Sequence, residues 1–314
     1  MPRYLITGGC GFIGGHLADR LLASGHEVTV LDDMSTGKRE NLPDGAELTV
    51  GDIADQDTVM RVMDGADGCF HLAAVASVQK ANEDWCGTHR TNLTGTIVIL
   101  DSARRLGKIP VVYASSAAVF GDNPALPLDE TSAVRPLSAY GADKLGCELH
   151  ARVATHVHGV PTTGFRFFNV FGPRQDPASP YSGVISIFID RLRRGLPVTI
   201  FGDGLQSRDF IYVSDIVDHL VAAMLSPGDD ARIFHACTGR STTLLELIDV
   251  LGTLIGTTPE IRFAAPRAGD IRFSLGAPGH AISTLGVQAR TTLADGLAET
   301  LAWLDEGNRE SDRR

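Results

Sequence analysis

The sequence predicts an α/β fold, a doubly wound parallel sheet that carries a smaller α/β domain toward its C-terminal end. Three observations predict it. Short apolar runs alternate with stretches of helical period from residue 4 to residue 168. A turn with Gly8, Gly11 and Gly14 at a spacing of three joins the first run to the first helix, and an acid, Asp32, closes the second run. Residues 4–32 therefore read as strand, glycine turn, helix, strand, acid. That is a Rossmann-type βαβ unit built to hold a dinucleotide.

Each element has its own reason. Residues 4–7 form a buried apolar strand, and Gly8 lets the chain turn sharply out of it. Gly11 allows close approach to a pyrophosphate, and Gly14 lets the helix pack near the sheet. Phe12, Ile13, Leu17, Ala18, Leu21 and Leu22 recur with helical period until Gly25. Residues 27–31 form the second strand. Asp32 at its end can accept bonds from a ribose diol and repels a 2′-phosphate, which favours NAD over NADP.

A third strand over 47–50 runs into Gly51-Asp52-Ile53, and a short helix follows over 58–63. A fourth strand over 68–72 leads into His71-Leu72-Ala73-Ala74, where His71 is expected to be structural. A long helix over 91–106, a fifth strand over 110–114, a helix over 140–157 and a sixth strand over 162–168 complete the sheet. These are residues 1–168, the NAD-binding domain.

From Asn169 the pattern loosens. Residues 171–183 are rich in proline and glycine, and helices are expected over 184–194, 213–225 and 244–252. Residues 257–277 read as a basic loop and 306–314 as a frayed polar tail. Residues 169–314 are expected to form the smaller substrate-binding domain, with some elements packing back on the sheet.

The chain has 314 residues and a formal charge of −10, with 43% hydrophobic and 21% charged residues. An acidic balance of that size argues against nucleic acid or an anionic membrane as the main partner. Met1-Pro2-Arg3 leads straight into the first strand and no apolar run approaches membrane-spanning length, so a cytoplasmic enzyme is expected. The five cysteines are scattered without metal-like spacing, so no metal is expected and the thiols are read as reduced.

Two segments carry chemistry. Ser115-Ser116 follows the fifth strand, where ligands sit in such sheets. Tyr140-Gly141-Ala142-Asp143-Lys144 opens a helix and places Tyr140 and Lys144 on one face. A lysine beside a phenol favours the phenolate, as a tyrosine base near neutrality requires.

With these residues in view, the chain resembles the extended short-chain dehydrogenases/reductases, and among them the NAD-dependent nucleotide-sugar 4-epimerases. The resemblance rests on TGGCGFIG (7–14), GDI (51–53), HLAA (71–74), SSAAVFG (115–121), YGADK (140–144), RFFNVFGPRQ (166–175) and SRDFIYVSD (207–215). It implies that Ser116, Tyr140 and Lys144 are catalytic. It further implies that Gly8, Gly11, Phe12, Ile13, Asp32, Asp52, Ile53, Leu72, Ala73, Ala74, Asn92 and Ser115, with Tyr140 and Lys144, line the NAD site.

On the substrate side, the resemblance places Ser116, Asn169, Thr199, Phe201, Arg208, Arg267, Asp270 and Ser274 around a UDP-sugar. Arg174, Arg208 and Arg267 read together as a diphosphate-binding set in an acidic protein. Related 4,6-dehydratases carry an Asp-Glu pair directly after the active-site Ser or Thr. Ala117 and Ala118 stand here and can transfer no proton, which favours epimerisation. Reduction, decarboxylation or dehydration of a nucleotide sugar is the alternative reading, and an NAD(H)-binding regulator a further one. At Ser274 relatives restricted to glucose and galactose carry a tyrosine, so UDP-N-acetylhexosamines and UDP-glucuronate join UDP-glucose and UDP-galactose as candidate substrates. The resemblance also implies a homodimer formed through the 91–106 and 140–157 helices.

Overall fold

The computed structural model describes residues 1–175, 183–266 and 271–311, with side chains through 306. The first unit is β1 (Arg3–Thr7), α1 (Phe12–Ala23) and β2 (Glu27–Asp32). Gly8 leaves β1 with φ +74°, and a Cβ on Gly14 would stand 2.2 Å from the Gly8 carbonyl oxygen. Only glycine lets the helix start that close to the turn. There follow β3 (Glu47–Val50), α2 (Gln56–Met63) and β4 (Gly68–His71). Asp55 caps α2 by accepting the Asp57 N–H at 3.2 Å.

Past β4 come α3 (Val78–Glu83) and α4 (Trp85–His89), which continues through a π-helical turn, Arg90–Thr94, into α5 (Gly95–Arg105). The helix predicted over 91–106 thus begins earlier and carries a π turn where Asn92 sits. Such turns gather at functional sites because they re-aim one side chain. β5 (Val111–Ser116), α6 (Ala139–His158), β6 (Thr162–Phe167) and β7 (Asn169–Phe171) follow. The Ser138 hydroxyl accepts the Gly141 N–H at 3.1 Å to start α6, and Gly159 ends it in the left-handed region at φ 71°.

The remainder comprises α7 (Val184–Arg193), β8 (Val198–Phe201), β9 (Ser207–Arg208), β10 (Phe210–Tyr212) and α8 (Val213–Leu225). After these come β11 (Arg232–Ala236), β12 (Thr242–Thr243), α9 (Leu244–Ile255), β13 (Ile261–Ala264), α10 (Gly279–Leu285) and α11 (Leu293–Ser311).

Seven parallel strands form the main sheet in the order β11-β6-β5-β4-β1-β2-β3. The chain winds outward from β1 in one direction and from β4 in the other, so the crevice between them is the switch point where such folds bind ligands. Apolar side chains cover both faces. Tyr4, Ile6, Leu17 and Leu21 pack with Ile216, Leu220 and Met224 of α8 on one side. Leu5, Val59, Met63, Ile99, Tyr113, Cys147 and Ala151 pack on the other. A separate core of Phe171, Phe188, Ile200, Leu247, Leu251 and Leu297 supports the C-terminal half.

Two features of that half depart from the sequence expectation. Residues 261–264, inside the stretch read as a loop, form β13 by pairing in parallel with β8. α11 is an unpredicted helix whose Leu297 is fully buried in the third core, with Leu293, Leu301 and Leu304 against it. It continues through Ser311, into the segment read as a frayed tail. Two elements from beyond residue 168 belong to the main sheet: β11 pairs with β6 along Arg232–Ala236, and α8 covers the face beside α1.

Candidate active site

The loops that leave the C-terminal ends of β1 to β4 line a crevice open to solvent. Gly8, Gly11, Asp32, Ile53, Leu72, Ala73 and Ala74 line it, as the sequence leads one to expect. Asp33, Ser35, Thr36, Gly37, Gly51, Val75 and Thr91 line it too and were not read from the sequence. All but Thr91 lie within six residues after a predicted strand, and that position was the available signal.

Asp32 is 6% exposed and its carboxylate is already at work. Oδ2 accepts the Cys10 N–H and Oδ1 the Met34 N–H, each at 2.9 Å, tying the glycine turn to the end of β2. Burial raises its pKa, and those two N–H bonds oppose the rise. Each oxygen keeps a lone pair for a further donor. Phe12 and Ile13 begin α1 and pack inward on the apolar cores rather than lining the crevice. Asp52 accepts the Ala54 N–H at 2.8 Å and pairs with Arg90. Asn92 is 1% exposed and clamps the crevice loop, accepting from Val75 N at 2.8 Å and donating to Val75 O at 3.2 Å.

His71 is structural, as expected. Its Nδ1 lies 2.7 Å from Thr7 Oγ1 and its Nε2 2.9 Å from Thr96 Oγ1. Burial, with Lys144 nearby, lowers its pKa to about 3, so the ring stays neutral.

The end of β5 and the start of α6 meet beside this crevice. Ser116 Oγ accepts the Ala118 N–H at 3.1 Å and caps the 3₁₀ turn Ala117–Phe120. Gly141 packs on that turn so closely that a Cβ would lie 2.6 Å from the Ala118 carbonyl oxygen. A larger residue there would lift the first turn of α6, and Tyr140 with it. Lys144 is 4% exposed. It donates to the Ala114 carbonyl at 2.8 Å, with its Nζ 5.9 Å from the Tyr140 ring centroid. Ser115 is 2% exposed, and its hydroxyl is turned to Glu148 Oε1 at 2.5 Å.

The substrate-side residues gather along residues 199–209. Thr199 and Phe201 are the half-buried alternate positions of β8, and the Phe201 carbonyl accepts from Gln206 Nε2 at 2.7 Å. Arg208 donates to the Ser207 carbonyl at 2.9 Å. The Ser274 N–H reaches the Ser207 carbonyl at 3.1 Å, and the Asn169 N–H the Asp209 carbonyl at 3.0 Å. Arg174 pairs with Asp19 of α1 at 2.7 Å. Arg267 and Asp270 lie outside the described residues.

The two acids of the SRDFIYVSD stretch hold loops together. Fully buried Asp209 accepts from Thr238 N at 2.8 Å, Thr238 Oγ1 at 2.7 Å and Gly239 N at 2.9 Å. Asp215 accepts from Arg290 N at 3.0 Å and Thr291 N at 3.1 Å.

Comparison with known proteins identifies the family. The profile described as the NAD dependent epimerase/dehydratase family matches residues 4–237. A UDP-glucose 4-epimerase of Mycolicibacterium smegmatis is 38% identical over 306 residues, covering 95% of this chain and 97% of its own. The crystal structure of a Thermotoga maritima UDP-glucose 4-epimerase with UDP-glucose superposes with a TM-score of 0.94 at 35% identity, over 98% of this chain and 99% of that one. A Methanobrevibacter ruminantium UDP-N-acetylglucosamine 4-epimerase in complex with UDP-N-acetylmuramic acid gives 0.93 at 32% identity, over 98% and 99%.

Proposed function

The chain belongs to the NAD-dependent epimerase/dehydratase family, and from that premise we propose that it interconverts the 4-epimers of a UDP-sugar through a transient 4-keto sugar. The observation that carries the reading is the junction of β5 with α6. There the Lys144 ammonium is held on the Ala114 carbonyl beside the Tyr140 ring, Gly141 packs on the turn that Ser116 caps, and two alanines follow Ser116.

The crevice fits NAD. Gly8 and Gly14 leave a turn that a Cβ would fill, and Asp32 meets the lining with lone pairs to spare. When bound there, NAD accepts a hydride from sugar carbon four and returns it. The protein's own residues do the rest. Tyr140 takes the 4-hydroxyl proton, and Ser116 bonds to the same oxygen. Lys144 holds its ammonium on the Ala114 carbonyl, beside the Tyr140 ring. Ala117 and Ala118 offer no acid or base for elimination. Asn169, Thr199, Phe201, Arg208 and Ser274 bind the nucleotide sugar, and the family resemblance adds Arg267 and Asp270.

The test has three parts. The denatured protein releases NAD; recovery of mainly NADP(H) would refute the role given to Asp32. A panel of UDP-hexoses, UDP-N-acetylhexosamines and UDP-hexuronates then yields 4-epimers, whereas a 4-keto-6-deoxy or decarboxylated product would establish the alternative chemistry. Ser274→Tyr narrows the accepted sugars; an unchanged profile means Ser274 is no gate.

We also propose a homodimer through α5 and α6. Ile97, Leu149, Val153 and Val157 are exposed on these helices, at 37%, 59%, 48% and 68%. Light scattering at micromolar concentration reads twice the chain mass, and a monomer mass refutes this assembly.

A further inference from the structure

One group of buried charges beside the reacting residues has no part in the chemistry above. Glu148 follows Lys144 by four residues, as Lys144 follows Tyr140, so the three lie along one face of α6. Glu148 is 8% and Arg166 5% exposed. Arg166 of β6 clasps the carboxylate with two bonds, Nε to Oε1 at 2.9 Å and Nη2 to Oε2 at 2.8 Å. Ser115 of β5 adds a third at 2.5 Å. The same guanidinium donates to the Glu130 carbonyl at 3.3 Å and lies 4.8 Å from the Phe120 ring centroid, in the turn that Ser116 caps.

α6 is therefore joined to β5 at two successive helical turns, through Lys144 to Ala114 and through Glu148 to Ser115. It is joined to β6 by Arg166. We propose that Ser115, Glu148 and Arg166 are positioning residues that hold α6 in register on β5 and β6, so that Tyr140 meets the Ser116 hydroxyl. The proposal rests on the reading of Tyr140 as the proton acceptor.

Two physical arguments support it. A buried ion pair is often no more stabilising than apolar groups of equal volume, so stability alone does not account for this one. A two-pronged guanidinium–carboxylate contact does fix direction as well as distance. A slip of α6 by one residue would carry Tyr140 about 1.5 Å along the axis and about 100° around it. Displacements of about 1 Å cost on the order of 100-fold in rate.

The experiment uses the full chain with UDP-galactose as substrate. The Glu148→Met/Arg166→Met variant, which fills the same volume without charge, is expected to melt near the wild-type temperature. Its kcat should fall about 100-fold while KM changes less than about threefold. Ser115→Ala should lose about tenfold in kcat, and Ser115→Thr, which keeps the hydroxyl, should recover most of it. Should the double variant fail to fold, the Ser115 pair decides alone. Wild-type kcat in a folded double variant or in Ser115→Ala overturns the proposal, as does a Thr variant no better than Ala. Tyr140→Phe is the control. If it stays active, the catalytic reading fails and this proposal with it; if it is inactive while Ser115→Ala is wild type, only the positioning role fails.

Discussion

The two ends of the molecule use their polar side chains differently. Around β1, β2 and β4, motif residues line an open crevice, and Asp32, though bonded twice, still faces it. Along residues 199–215, acids that look equally motif-like point inward. Asp209 and Asp215 accept backbone N–H groups from segments 29 to 76 residues away in sequence. A parallel sheet delivers its loops to one edge by topology, so its polar side chains are free for a ligand. The smaller half has only short strands and must hold its loops with carboxylates. A motif carboxylate therefore faces the crevice at Asp32 and acts as scaffolding at Asp209 and Asp215.

The largest effect that would break this contrast is kinetic. Tyr140→Phe removes one oxygen from a half-buried residue and should leave stability nearly unchanged. Turnover should fall between about 10² and 10⁴-fold, the usual value of a positioned proton acceptor. Loss of folding rather than turnover, read by melting and by steady-state rates, would move Tyr140 to the scaffolding class.

Asp209→Ala should behave in the opposite sense. It strands the part-buried N–H groups of Thr238 and Gly239 and the Thr238 hydroxyl. At about 1–3 kcal/mol for each unsatisfied group, partly relieved by water, a loss of about 3 kcal/mol is expected in urea unfolding. Unchanged stability would mean that this acid is spare for ligand binding after all.

The smallest effect is the response to acid. Burial lowers His71 and His235 to about 3, His235 with Arg166 as a further cause. An unfolded chain takes up these protons near pH 6.5, while the folded one resists until about 3. Stability is then fully present above about pH 6.5 and declines below it, by about 1.4 kcal/mol per pH unit for each histidine. His235→Leu, set among Phe120 and Phe168, should flatten the fall in melting temperature between pH 6.5 and 5. An identical slope in the variant would assign the acid response to other groups.

What the sequence determined by itself is what neighbouring residues encode. The glycine spacing, the period-3.6 apolar runs and Asp32 at a strand end place β1 to β6 in order. The Tyr140 and Lys144 spacing puts both on one helical face, and both strand ends and YGADK are local patterns. What only the tertiary structure decided depends on partners far apart in the chain. Four residues at 261–264 become a strand because β8 lies beside them, and β11 reaches the main sheet because β6 offers it an edge. Ser115 looked like a crevice residue until Glu148, 33 positions on, took its hydroxyl. Arg174 read as a phosphate ligand, and only the fold brings Asp19 of α1 to it. A side chain's type is written in the sequence, but its hydrogen-bond partner is whichever group the fold brings within about 3 Å, and long-range packing makes that choice.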